Sequence, residues 1–287
     1  MDLRQNRLPW SEQIWAKINA DLAQALTQAR RVRTPFEVVS VPDSTQTVLS
    51  DGRDAFDGLR YTETDSLPVI ELSVPIQISQ SQAFNEGDNF YALDRIIEAA
   101  HTLGVLEDSL LVNANAAALG QYGLQFNITN ARAIWPGLYY PTATTPRDLP
   151  HILWPTTPST GKSLFDAVND ARISLRQMRR YEPYALFVSH ELEGELYSTV
   201  WGSNSLNTPL ERMRPLVTAG IHSTPVLARD TAIVVATSRA WIDIAQAMEP
   251  SIQFLAVDDN GDYKLRLVER FAFRLKDTAA RIVIRMS

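Results

Sequence analysis

Ser159-Thr160-Gly161-Lys162-Ser163 ends like a phosphate-binding loop and stands before a helical pattern, where backbone N–H groups would cradle a phosphate. Thr156 occupies the place of the first glycine that the motif needs for its sharp turn, so the segment reads as an ordinary Ser/Thr helix start. His190-Glu191-Leu192-Glu193 gathers an imidazole and two carboxylates, but zinc on a helix wants a second histidine one turn on, and none follows. The other histidines, His101, His151 and His222, stand alone, and no metal site is expected. Ser189 and His190 are adjacent, a spacing that does not by itself aim an imidazole at the hydroxyl, and there is no Gly-x-Ser-x-Gly elbow. A triad assembled from distant residues stays open. Asp258-Asp259-Asn260-Gly261-Asp262 has its glycine too early for a calcium loop and reads as a hairpin turn. A basic stripe, Lys264, Arg266, Arg270, Arg274 and Lys276, reads as a solvated strand face or as one paired with carboxylates of a neighbouring subunit. The chain has no cysteine, which excludes disulfides, thiol catalysis, Cys-ligated zinc and iron–sulfur clusters.

The elements that must hold these residues follow from periodicity. Behind Ser11 as N-cap, Trp15, Ile18, Leu22, Ala25, Leu26 and Ala29 recur at helical spacing, with Arg30, Arg31 and Arg33 beyond the C-terminal end. Residues 44–66 read as an extended, mostly polar hairpin. A free two-stranded hairpin is marginal in water, so this one is expected to rest on its own domain or on a neighbouring subunit. Leu93 to Leu111 keep helical spacing long enough to predict a central spine, and residues 126–158, rich in Pro and Thr, show no clean period.

Leu164 to Met178 predict a further helix and Tyr184–Val188 a buried strand. Thr208-Pro209-Leu210-Glu211 combines a capping box with proline at the first helical position, which predicts a helix kinked at Pro215 and stopping near Gly220. Thr231–Thr237 and Ile252–Val257 read as core strands. Tyr263, Leu265, Leu267, Phe271, Phe273 and Leu275 then alternate with the basic stripe, and Ala280–Arg285 forms a last alternating strand.

The chain has 287 residues, 45% hydrophobic and 21% charged, enough to bury one sizeable core or two small ones and too apolar for intrinsic disorder. A net charge of −6 supplies no field for a nucleic-acid backbone, so no nucleic acid is expected as partner. Neither a signal peptide nor an apolar run of membrane-spanning length is visible, and the expected location is cytoplasmic with no membrane partner. Arginine outnumbers lysine 23 to 4, a composition favoured in interface ion pairs.

Several strings, taken in order, resemble the encapsulins, shell proteins of bacterial and archaeal nanocompartments that share the HK97-type phage capsid fold. They are Leu8-Pro9-Trp10-Ser11-Glu12-Gln13-Ile14-Trp15, Ser66-Leu67-Pro68-Val69-Ile70-Glu71-Leu72, Leu106-Glu107-Asp108, Pro183-Tyr184-Ala185-Leu186, Pro209-Leu210-Glu211 through Gly220-Ile221, and Val268-Glu269-Arg270-Phe271-Ala272-Phe273. The resemblance covers nearly the whole chain. It departs at Arg180-Tyr181-Glu182, where glycines commonly stand, and in the long 126–158 segment.

The resemblance implies an α+β, HK97 phage capsid-like fold with N-terminal helix, E-loop, P-domain and A-domain. Residues 1–43 would be the inner-surface helix and the strand after it, 44–66 the E-loop, 67–159 the P-domain with the spine, 160–250 the A-domain, and 251–287 C-terminal strands of the P-domain that support the E-loop. It implies a homo-oligomer, a self-assembling icosahedral shell that encloses a cargo enzyme through the cargo's C-terminal targeting peptide, and no catalysis by the shell itself. Leu26, Arg33, Phe36 and Val38 are the expected peptide-docking residues, with core packing as the competing role. Gly202, Ser203, Asn204, Ser205, Leu206 and Asn207 are the expected five-fold pore loop. No cofactor is expected; where some relatives stack a flavin on an aromatic residue, this chain reads Ser79-Gln80-Ser81-Gln82. The alternatives are a prophage major capsid protein of the same fold and a soluble α/β hydrolase.

Overall fold

The computed structural model describes residues 8–53, 61–114, 125–129, 135, 137–139, 151–154, 164–197 and 208–286. In chain order its elements are α1 (Glu12–Ala29), β1 (Val38–Ser40), β2 (Thr47–Arg53), β3 (Tyr61–Pro68), β4 (Ile70–Ile78), α2 (Gln80–Phe84), α3 (Glu86–Asn89) and α4 (Tyr91–Asn113). Then come β5 (Asn127–Thr129), β6 (His151–Trp154), α5 (Leu164–Gln177), β7 (Tyr184–Ser189), α6 (His190–Tyr197) and α7 (Pro209–Met213). The chain continues through β8 (Ile221–Thr224), β9 (Thr231–Ala236), β10 (Ile242–Val257), β11 (Tyr263–Leu275), a 3-10 turn (Thr278–Ala280) and β12 (Arg281–Met286).

Two five-stranded sheets carry the core. One has the order β1-β10-β11-β4-β5 and the other β6-β12-β9-β7-β8, while β2 and β3 pair only with each other. Phe36 bridges the sheets, its ring 6.0 Å from Phe187 and 5.7 Å from Phe273. The spine α4 lies on β4 of the first sheet and also packs against α1. That crossing is close because position 104 is glycine: a Cβ there would stand 2.5 Å from the Cβ of Ala29.

Both long helices have solved their exposed amides. Ser11 caps α1 by accepting from the Ile14 N–H at 3.4 Å. The N-cap of α4, Phe90, is left-handed and offers no side-chain cap, and the buried Glu86 carboxylate takes over, accepting from Ala92 N–H at 2.6 Å and Leu93 N–H at 2.9 Å. Burial raises the pKa of Glu86. Trp10 pins the segment before α1 by donating its Nε1–H to the Ala83 carbonyl at 2.9 Å.

Several expectations change. The helix opening at Thr208 has its capping box but ends at Met213, before Pro215 instead of bending at it: Arg214 still has helical dihedrals and donates to the Leu210 carbonyl, but proline has no N–H with which to continue the ladder. The strand expected from Ile252 begins ten residues earlier, at Ile242, and passes an irregularity at Glu249-Pro250, where proline costs no ladder bond. The last two strands pair differently: β11 lies between β10 and β4, whereas β12 lies between β9 and β6.

The basic stripe is paired within the chain. Arg266 reaches Glu71 at 2.9 Å, Arg274 grips Asp243 at 2.6 and 2.7 Å, and Lys276 joins Asp243 at 2.8 Å. Lys264 faces Asp258 at 3.6 Å. Arg270 donates to the carbonyls of Asp43 and Thr45, and Arg274 to that of Leu49 at 3.3 Å, so the base of the β2–β3 hairpin is held by β11. The acidic turn is spent locally: Asp258 Oδ1 accepts from Asn260 and Asp262 N–H at 3.0 Å each, which lowers its pKa, and Gly261 takes φ +86°.

Candidate functional site

The most elaborate polar construction lies where α1 ends. Asp108 on α4 accepts from Arg31 N–H at 2.9 Å and Val32 N–H at 3.0 Å, fixing the chain as it leaves the helix. Beside it Arg30 contacts Glu107 at 2.5 Å and Glu269 of β11 at 2.5 Å, while Arg33 contacts Glu107 at 2.7 Å and donates to Gln246 of β10. Gln246 passes its amide on to the Met248 carbonyl at 2.5 Å. Three elements are thus stitched to the C-terminal end of α1 by two arginines and two fully buried glutamates.

Burial sets the electrostatics. It pushes the Asp108 carboxyl up to about 8, the two backbone N–H donors opposing without cancelling it. It likewise pushes Glu269 up to about 7, with the neighbouring Glu107 adding to the rise. For Arg30 burial works downward, but Glu269 and Glu107 together raise its pKa. The cluster therefore holds Arg30 charged and disfavours ionisation of Asp108 and Glu269.

Against this cluster a groove of about 600 Å³ opens between α1, the α1–β1 connection and the Glu249-Pro250 irregularity of β10. Leu26, Arg33, Phe36 and Val38, the four expected docking residues, all line it, together with Leu22, Ala23, Arg30 and Thr34. Their burial differs. Leu26 and Phe36 are core residues at the groove floor, whereas Val38 is 43% exposed. Arg33 lines the groove with its guanidinium engaged by Glu107 and Gln246. The arrangement can receive an extended apolar segment.

Glu107, Asp108 and Glu269 were not singled out by sequence reasoning, yet a signal existed. Glu107 falls at i+4 from Leu103 and i−4 from Leu111, and Glu269 falls between Leu267 and Phe271 on the apolar face of its strand. A carboxylate on a core face needs a partner.

The other sequence candidates divide. The Ser159–Ser163 segment and the loop Gly202, Ser203, Asn204, Ser205, Leu206 and Asn207 lie outside the described residues. Ser189 is fully buried, and no hydrogen bond joins it to His190 among the described residues. His190 Nδ1 instead lies 2.7 Å from Ser223 Oγ. No helix among the described residues is long and apolar enough to cross a membrane.

The same architecture occurs in solved particles. The chain superposes on the virus-like particle protein of Pyrococcus furiosus with TM-score 0.69 at 17% identity, covering 96% of this chain and 100% of that one. It superposes on the capsid protein of the Myoviridae phage XM1 with TM-score 0.58 at 13% identity, over 89% and 91%. The fold is therefore the HK97-type capsid fold. In sequence, residues 146–272 match the family described as encapsulating protein for peroxidase. The Type 1 encapsulin shell protein EncA of Myxococcus xanthus is 25% identical over 274 residues, 93% of this chain and 91% of that protein. In sequence the chain is thus similar to encapsulin shell proteins.

Proposed function

We propose that this chain is the shell subunit of an encapsulin nanocompartment: copies close into an icosahedral shell in the cytoplasm, and the groove beside α1 receives the C-terminal targeting peptide of an enclosed protein. The observation that carries the reading is the groove. It is apolar at its floor, open along one side, and held in shape by the Arg30–Glu107–Glu269–Arg33 cluster, which matches what an extended peptide needs: alternate side chains in pockets and a rigid frame that costs little to order. Confinement, not catalysis, is then the function of the shell. The Gly202–Asn207 loop is assigned to the five-fold pore by the same reading, and its uncharged polar composition fits a weakly selective opening.

Negative-stain electron microscopy and light scattering of the purified protein test the shell. Uniform hollow spheres without nucleic acid are expected; small discrete monomers or dimers would overturn the reading, and nucleic acid filling the particles would move it to a phage capsid. For the groove, Phe36 is a poor target because it also bridges the sheets. Ala23→Arg with Val38→Asp changes two exposed groove residues and leaves the core intact. Shells of this variant should form yet lose co-purification of a fluorescent protein bearing the native cargo's C-terminal tail; loading equal to that of the unsubstituted shell would sink the docking assignment.

A further inference from the structure

The cluster beneath the groove does not balance its charges. Glu107 and Asp108 of α4 and Glu269 of β11 are all buried, and among the described residues the cations that face them are Arg30 and Arg33, from the end of α1. Leu72 of β4 stands opposite Glu269 in the strand register, and β10 adds the neutral Gln246. With every carboxyl ionised, three negative charges would meet two positive ones away from water. A buried charge without a partner is strongly destabilising, and a carboxyl in that position holds a proton instead.

The contacts single out which carboxyl that is. Asp108 accepts a backbone N–H on each oxygen, and Glu107 meets an arginine on each, Oε1 with Arg33 at 2.7 Å and Oε2 with Arg30 at 2.5 Å. Glu269 uses only Oε2, against Arg30 at 2.5 Å, and its buried Oε1 has no hydrogen-bond partner. Oε1 is therefore the place for the proton. Burial, helped by Glu107, moves this carboxyl up to about 7, so it changes charge near neutrality. Arg30 and Arg33 also line the groove, so a change in their counter-ions reaches its wall.

We propose that Glu269 is a proton-operated latch on the groove. With the proton on Oε1, Glu107 and Asp108 balance the two arginines and the connection from α1 to β1 is held firmly. As pH rises the proton leaves to solvent, Glu269 and Glu107 repel, and the end of α1 loosens. The sign is that of linkage: a carboxyl that holds its proton more tightly in the folded chain stabilises it on the acid side and gives this up as pH rises. On the reading of the groove as the docking site for a cargo tail, on which this consequence rests, cargo is held best on the mildly acidic side and less well as the medium turns alkaline.

Hydrogen exchange of the purified full chain tests the latch without any ligand. The amides to follow are those of Arg30, Arg31, Val32 and Phe36, all hydrogen-bonded in this connection, with a free peptide of the same residues as reference for the chemical effect of pH. Expected is exchange at least about threefold faster, after that correction, at about pH 8 than at about pH 6, and no such change in Glu269→Gln. A protonated-carboxyl infrared component that fades over the same range and is absent from Glu269→Gln gives a second readout on the unsubstituted protein. Equal corrected exchange at both pH values, or the same response in Glu269→Gln, overturns the latch. Loading of the tail-bearing fluorescent protein, measured alongside, separates the two claims. Exchange that responds while loading does not supports the latch and removes the docking assignment. Loading lost in the Ala23→Arg, Val38→Asp shell while exchange stays unresponsive keeps the docking assignment and overturns the latch.

Discussion

Glu269 is an acid buried where the strand pattern calls for an apolar side chain, and its consequence is a pH dependence of known sign. A carboxyl that holds its proton more tightly folded than unfolded contributes stability fully below its unfolded pKa and loses it as pH rises through the folded one. For Glu269 the window runs from 4.5 to about 7. Relative to Glu269→Gln, the unsubstituted protein should lose stability across that window, by at most about 1.4 kcal/mol per pH unit for one proton. Thermal melts of the two proteins at matched pH values measure it, and parallel curves would refute the assignment. Removing one partner outright is harsher. Arg33→Ala leaves Glu107 with one arginine fewer in a buried site and should cost about 3 kcal/mol or more by denaturant titration.

Among elements, the α1–α4 crossing depends on the missing Cβ at position 104. Gly104→Ala sets a methyl 2.5 Å from Ala29 Cβ and 3.2 Å from its backbone carbon, so α1 must move. Overpacking of this kind costs about 1 to 3 kcal/mol, against a helix-propensity gain of about 1 kcal/mol. Gly194→Ala in α6 meets nothing within 4 Å and should keep that gain whole. Hydrogen exchange should show α1 amides loosened in the first variant and unchanged in the second; equal protection of α1 in both would show that the close approach is not what seats the helix. Since α1 forms one wall of the groove, the first variant should also weaken cargo loading.

At the scale of the whole molecule, the β2–β3 hairpin is a two-stranded sheet with a guanidinium anchor at its base and no wider sheet of its own. Such a ribbon is stable when it lies on something larger, which in the proposed shell would be a neighbouring copy. Arg270→Ala with Arg274→Ala removes the donors to Asp43, Thr45 and Leu49 carbonyls. The expected outcome is a chain that still folds around its two sheets but forms fewer and more irregular particles, read by size-exclusion chromatography and electron microscopy. Particles of unchanged yield and shape would mean that the anchor does not set the hairpin's direction.

How much of this was legible beforehand varies with the range of the physics. Ser11 at the start of α1, the spine helix from Leu93 to Leu111, the capping box at Thr208, the alternation of β11 and the Asp258–Asp262 turn are local, written in spacing and in side chains that bond their own backbone, and the chain alone determined them. The family strings likewise led to the capsid fold. The partners of the basic stripe, the length of β10, the transfer of β12 to the second sheet and the meeting of Arg30, Arg33, Glu107 and Glu269 were decided only in three dimensions. Those contacts join residues tens to hundreds of positions apart, and burial, which fixes both their partners and their protonation, belongs to no residue until the sheets close over it.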